Sequence, residues 1–400
     1  MYPLFVAAIL AGLVAVSPFA IDTYLPAIPM IARDMHAPIA WVQASVPAYL
    51  IGGAIGQFFA GPVSDQIGRK PVGLFGLALY SLSCFAISFS HSVEALLTLR
   101  VIQALGGGCT TVIVAATVRD TLDGKAAARM MALIGLIMTS APLIAPALGS
   151  GLLLISGWRA IFITLTLYAV LMFVLLSWKV PESRVRSDSL SFGSLVKTTV
   201  ENYGVVFRHR RAMGYLLGLG FSSATMFVFL SMSAFAYMEY FGASSTLFPL
   251  LFGANIVTMM ITNRLGVLGL RWLQPETLFR IGMVVLLLMT LSLALYVELG
   301  HPTLPVVVTF VMLGIGMVGL VFPQGTVSYL HYFPSQAGSA SALLGILRFA
   351  LGAAAGAIAN LLYDGTLRPM AYGMALCALA GTVGLFAVSG LTGHEEKAAH

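Results

Sequence analysis

Residues 72–90 and 160–178 each run without a single Asp, Glu, Lys or Arg. An apolar run of about twenty residues, rising 1.5 Å apiece, matches the ~30 Å hydrocarbon core of a bilayer. Where there is no water, every backbone N–H and C=O must be paired within the segment, so such runs fold as helices. Ten further apolar blocks repeat the pattern. The expected fold class is therefore an all-α membrane protein with twelve transmembrane helices. Composition closes off the soluble alternative: 59% of the 400 residues are hydrophobic and 9% charged, whereas a soluble domain carries about 25% charged residues.

The blocks fall at about 4–30, 41–62, 72–90, 94–117, 129–154 and 159–178, then at about 212–237, 245–264, 276–298, 303–325, 336–361 and 369–391. Two six-helix halves, 1–178 and 212–391, are expected on either side of a polar linker, 179–211, with a tail at 392–400. Equal halves are what a duplicated transporter gives. The net charge of +6 reports topology, not nucleic-acid binding. With the termini in the cytoplasm, Arg69, Lys70, Arg119, Lys125, Arg129, the seven basic residues of 179–211, Arg264, Arg271, Arg280 and Lys397 all fall inside. Only Arg33, Arg159 and Arg368 fall outside, and Arg100 and Arg348 lie within spans. The cysteines, Cys84, Cys109 and Cys377, sit in separate apolar blocks without zinc spacing, and no disulfide framework is expected. The first block lacks a basic leader and reads as a helix, not as a cleaved signal.

Four motifs stand in order along the first 150 residues. Gly61-Pro62-Val63-Ser64-Asp65-Gln66-Ile67-Gly68-Arg69-Lys70-Pro71 separates spans two and three. Gly61 and Gly68 permit close approach and a tight reversal, and Asp65 at a helix C-terminus needs a cation. Span four carries Arg100-Val101-Ile102-Gln103 followed by Gly106-Gly107-Gly108, and ends in Arg119-Asp120. Span five reads Ala141-Pro142-Leu143-Ile144-Ala145-Pro146-Ala147-Leu148-Gly149. Its prolines remove hydrogen bonds on one face, and its small residues admit a neighbouring helix. Span one ends in Asp22-Thr23-Tyr24-Leu25-Pro26. The first two motifs resemble those of the major facilitator superfamily. The spans one and five motifs resemble those of the branch named for bicyclomycin and chloramphenicol resistance (Bcr/CflA), although drug antiporters commonly place Gly, not Ala, before each Pro. In the second half, Asn263-Arg264-Leu265-Gly266-Val267-Leu268-Gly269 is a degraded echo of the loop signature. The resemblance implies the major facilitator fold, a bacterial inner membrane, proton-driven drug antiport and a gate built from Asp65, Arg69, Arg119 and Asp120.

Of the fifteen acidic residues, Asp22 alone lies well inside an apolar span. A charge there costs at least ~2.5–3.5 kcal/mol on insertion scales, so it must face a cavity, find a partner or take a proton. Asp22 either carries the coupling proton or caps the break before Pro26. Arg100 lies at comparable depth and is its natural counterpart, unless it bonds backbone carbonyls. Arg348, mid-way along span eleven, either meets an anionic solute or braces its helix. Tyr24, Tyr49, Met226, Phe227, Tyr237, Asn255 and Gln324 are cavity candidates, since aromatics and Met suit flat, weakly polar molecules.

No phosphate-binding Gly-x-x-x-x-Gly-Lys-Ser/Thr loop and no His-Glu-x-x-His occurs, so ATP-driven pumping and zinc hydrolysis lack their residues. The chain is expected to be a non-enzymatic monomer without cofactor, driven by the proton gradient. Its expected partners are protons, a drug or metabolite and the bilayer. Drug export is expected, with metabolite export or uptake symport as the alternative.

Overall fold

The computed structural model describes residues 4–122, 124–183, 204, 206–333 and 337–389. These residues form twelve helical stretches long and apolar enough to cross a membrane, arranged as two bundles. In the first bundle, α1 (Leu4–Asp22), a 3-10 turn (Leu25–Ala27) and α2 (Ile28–Asp34) make up span one. Next come α3 (Ile39–Gln43) with α4 (Ser45–Ile67), then α5 (Arg69–Ser88), α6 (Val93–Thr121), α7 (Gly124–Ser156) and α8 (Trp158–Lys179). The second bundle holds α9 (Arg210–Ala234) with a π-helical turn (Phe235–Tyr240), α10 (Phe248–Gly269), α11 (Pro275–Glu298), α12 (Leu304–Gly316) with α13 (Val318–Leu330), α14 (Ala337–Leu361) and α15 (Arg368–Ser389).

Four features depart from the sequence expectations. Span one is broken at Asp22 and runs on to Asp34, because Pro26 and Pro29 have no N–H to donate to Asp22 and Leu25. The segment 61–71, expected as a loop, is helical except at Gly68, whose φ of 103° makes the reversal alone. Asn263–Gly269, expected as an echo of that loop, lies within α10. Span ten continues to Leu330 through a joint at Met317, so the first half of the short loop expected at 326–335 is helix. Most of 179–211 and the tail from 390 fall outside the described residues.

Packing repeats between the bundles. α1 lies on α7 as α9 lies on α14, and α5 lies on α8 as α11 lies on α15. The bundles meet where α4 packs on α14 and α7 on α10. Within the first bundle, α4 and α6 approach almost backbone to backbone. A Cβ at Gly52 would collide with the Val101 carbonyl, one at Gly56 would sit 2.5 Å from the Leu105 oxygen, and one at Gly108 would sit 2.8 Å from the Gly53 oxygen. At Gly53, on the seam, contact is looser: a Cβ there would meet only the Phe349 ring, at 3.5 Å.

The buried apolar residues divide unequally. One cluster joins the whole first bundle to the part of the second bundle around Phe227–Ile256, Leu293–Ile315 and Ala353–Cys377. A separate cluster, including Tyr215, Leu219, Phe279, Val321, Tyr329 and Leu344, fills the opposite end of the second bundle. That opposite end belongs to the face that carries Arg69, Lys70, Arg271 and Arg280, here called the basic face. The bundles thus share a core toward the far face and keep separate cores toward the basic face.

Candidate functional site

At the centre of the first bundle Arg100 is wholly buried. Its guanidinium lies 4.2 Å from the Tyr24 ring centre and 4.5 Å from that of Tyr49. Nη1 donates to the Ala20 carbonyl at 3.0 Å and to Gln103 Oε1 at 2.7 Å. Among the described residues Nε and Nη2 have no hydrogen-bond acceptor, and the two ring faces take their place. The break in span one makes this arrangement possible: it brings α1 to an end beside Arg100 and leaves Ala20 O free to accept. Tyr24 is fixed by a 2.8 Å hydrogen bond to Ser45, whose hydroxyl in turn donates to Val42 O.

Asp22, the last residue of α1, is 4% exposed and close enough for its charge to reach Tyr24 and Tyr49. Among the described residues no ion pair joins it to Arg100, whose Nη1 is engaged by the carbonyl and the glutamine. The two groups share a region but do not neutralise each other. The next residue, Thr23, offers its carbonyl to the span-five motif. Gly149 of α7 lies so close that a Cβ there would overlap the Thr23 oxygen. Ala141, Ala145 and Pro146 are buried on that helix, and Pro142 is half-buried. Gly149→Ala should therefore overpack the contact and lower stability by about 1–3 kcal/mol. An unchanged thermal midpoint in detergent would sink this prediction.

A second cluster sits on the basic face. Arg69, 2% exposed, reaches Asp65 Oδ1 with Nη2 at 2.6 Å and Asp120 Oδ2 with Nε at 2.9 Å. Nη1 donates to Ser64 Oγ at 2.6 Å. Glu182 accepts the backbone N–H groups of Arg69 and Lys70 at 2.9 and 3.0 Å, capping α5 where the helix dipole favours an anion. One guanidinium thus ties α4, α5 and α6 together. Arg119 lies on α6, but its side chain is outside the described residues. Gly61 makes no close approach: a Cβ there would meet only Val112, at 4.0 Å. Sequence reasoning missed Glu182 because an acid in a polar linker reads as solvated. The one available signal was its position just past the end of α8.

The other candidates scatter. Phe227 packs on Phe349, with ring centres 5.8 Å apart. Met226 is half-buried. Tyr237 lies in the π turn against Phe229 and Phe248. Asn255 spends its amide on Leu251 and Phe252 carbonyls, and Gln324 is buried on α13 beside Gly266. Arg348 donates from Nε to Ser223 Oγ at 2.8 Å and lies 3.9 Å over the Phe322 ring. None of these lines the cleft of about 260 Å³ between Pro26, Arg33, Leu153 and Glu239 near the far face. Ion pairs close that face of each bundle. Arg159 binds Asp34 at 2.6 Å in the first, and Arg368 binds Glu298 at 3.1 Å in the second. Among the described residues no cluster of His, Cys, Asp and Glu could hold a metal ion.

Comparison with known proteins adds the following. The family model described as Major Facilitator Superfamily matches residues 10–357. A "Bicyclomycin resistance protein homolog" of Haemophilus influenzae is 28% identical, with 92% of each chain covered. The "Uncharacterized MFS-type transporter YdgK" of Bacillus subtilis is 30% identical over 96% of this chain and 95% of its own. Among solved structures, a D-xylose-proton symporter superposes with a TM-score of 0.71 over 95% of this chain and 98% of its own, at 17% identity.

Proposed function

Since this chain belongs to the Major Facilitator Superfamily, we propose that it exports small amphipathic solutes, drugs among them, in exchange for protons. A multi-pass membrane transporter working by alternating access, and not an enzyme, comes with the family. Export, the drug-like cargo and proton exchange are our reading. The observation that carries it is Asp22, a buried carboxylate with no ion pair among the described residues, placed where broken span one meets the span-five motif at Gly149. A carboxylate so placed is expensive to keep ionised and is free to take up and lose a proton as its surroundings change. The direction follows from the span-five and span-one resemblance to the Bcr/CflA branch and from the relative named for bicyclomycin resistance. In this reading the basic face is cytoplasmic, as the charge asymmetry favours. The cluster at Arg69 then governs the cytoplasmic mouth.

Uptake symport or metabolite export is the second reading, and the solved structures lean toward it, with a D-xylose-proton symporter among them. Direction-resolved flux separates export from uptake. In everted vesicles an imposed inside-acid gradient should drive accumulation of an exported drug, with the lumen losing protons as the drug enters. Solute leaving the lumen together with protons under the same gradient would establish symport and discard export.

A further inference from the structure

Arg348 poses a question that neither the proton path nor the basic-face cluster answers. It stands near the middle of α14, at membrane depth. On the same helix face, Gly345 meets Gln57 of α4 and Gly352 meets Phe227 of α9. The lipid-facing row is elsewhere, at Ala350, Ala354, Ile358 and Leu361. Arg348 therefore points inward, toward the junction of α9, α13 and α14, where α4 of the first bundle comes closest.

A cation at this depth needs a counter-charge, backbone acceptors or a wet cavity, and the second bundle supplies no acid nearby. Between residues 212 and 389 the acids are Glu239, Glu276, Glu298 and Asp364, all at or beyond helix ends. The group facing Gly345 across the seam is Gln57, an uncharged amide. Ser223 holds Nε at 2.8 Å, and the Phe322 ring supports the guanidinium at 3.9 Å. Both Nη groups are left without a protein partner among the described residues, and the side chain is only half-buried. One edge is anchored, one face is supported and the fork is open. That is the presentation of guanidinium that recognises a carboxylate or similar oxyanion in bidentate fashion.

We infer that Arg348 binds anions at the junction of α9, α13 and α14, and that the solutes carried include amphipathic molecules bearing a carboxylate. The inference rests on the transport reading for the existence of a cargo, but not on its direction or on proton coupling. The test is equilibrium binding without a gradient, using the purified full chain in nanodiscs. Naphthoate, N-acetylphenylalanine and ciprofloxacin serve as probes, each against its primary amide. At least one acid should bind about tenfold more tightly than its amide, the scale of a hydrogen bond to a charged group. Arg348→Gln should erase that preference while leaving amide affinity unchanged, a pattern that loss of a mere helix brace does not produce. Arg348→Lys should keep part of the preference, and it serves as the variant of record if the glutamine chain fails to fold. Equal binding of acids and amides, no binding of any acid, or a preference that survives Arg348→Gln overturns the inference. So does acid binding seen only in nanodiscs without anionic lipid, since the site would then belong to lipid headgroups. Acid-selective binding without export in vesicles would leave the anion site standing and discard the export reading.

Discussion

Asp22→Asn should abolish pH-driven transport while the protein still folds, inserts and binds neutral solute. The substitution keeps the volume and polarity of the side chain, removes its charge and its ability to exchange a proton, and trades one acceptor oxygen for an amide donor. At 4% exposure, and with no ion pair among the described residues to lose, the neutral amide suits this environment at least as well as an ionised carboxylate does. Stability should therefore hold or rise slightly, which separates the effect from misfolding. The measurement is proton release from the purified protein on ligand addition, beside flux under a pH gradient. Wild-type protein should release protons into weakly buffered solution, and Asp22→Asn should not. If the variant still releases them, the carrier lies elsewhere. Arg100→Ala should behave differently. With no ion pair to Asp22, its first effect is to empty the space between Tyr24 and Tyr49 and lower stability.

The second large effect is expected at Arg69. Arg69→Met removes the group that neutralises Asp65 and Asp120 and satisfies Ser64. Breaking a buried pair by deleting one partner costs about 3–5 kcal/mol. Asp65 and Asp120 keep side-chain exposures of 34% and 19%, so water screens part of the residual charge and about 2–3 kcal/mol is expected here. Transport should fall with it, because α4, α5 and α6 lose their common tie. Arg69→Lys keeps the charge but cannot serve three acceptors in fixed directions, so it should restore only part of the loss. Adding Asp120→Asn to Arg69→Met should recover stability by removing one orphaned charge. Denaturant unfolding of wild type, Arg69→Met, Asp120→Asn and the double variant closes the cycle, and additive losses would mean that the cluster does not act as a unit.

Much of the fold was legible because twelve apolar blocks leave little freedom: each must be a helix, and short connections make neighbours antiparallel. Breaks within spans were not legible from apolarity. A window that averages over twenty residues reads straight through Asp22–Leu25 and Met317, and only Pro26 and Pro29 hinted at the first break. The loop signature was visible as residues, yet the helices on either side reach Ile67 and Arg69 because the charged side chains pair with one another and do not require solvent. Depth along a helix can be counted from the sequence, whereas facing cannot. Asp22 and Arg100 looked like partners by depth, and the rotation of α6 instead turns Arg100 onto the Ala20 carbonyl and two tyrosine rings. Ser223 and Phe322, which hold Arg348, carry no sequence signal, being ordinary residues of apolar spans.

The glycine contacts also set how the molecule bears load. Inside the first bundle, α4 and α6 touch through carbonyls seated on glycine Cα atoms, so the two helices act as one stiff beam. At the seam, Gly53 faces only the edge of the Phe349 ring, a side-chain contact at 3.5 Å with no backbone of the second bundle close by. Moving one bundle against the other at Gly53 therefore slides a side chain over a glycine, whereas parting α4 from α6 would unseat carbonyls from glycine Cα atoms.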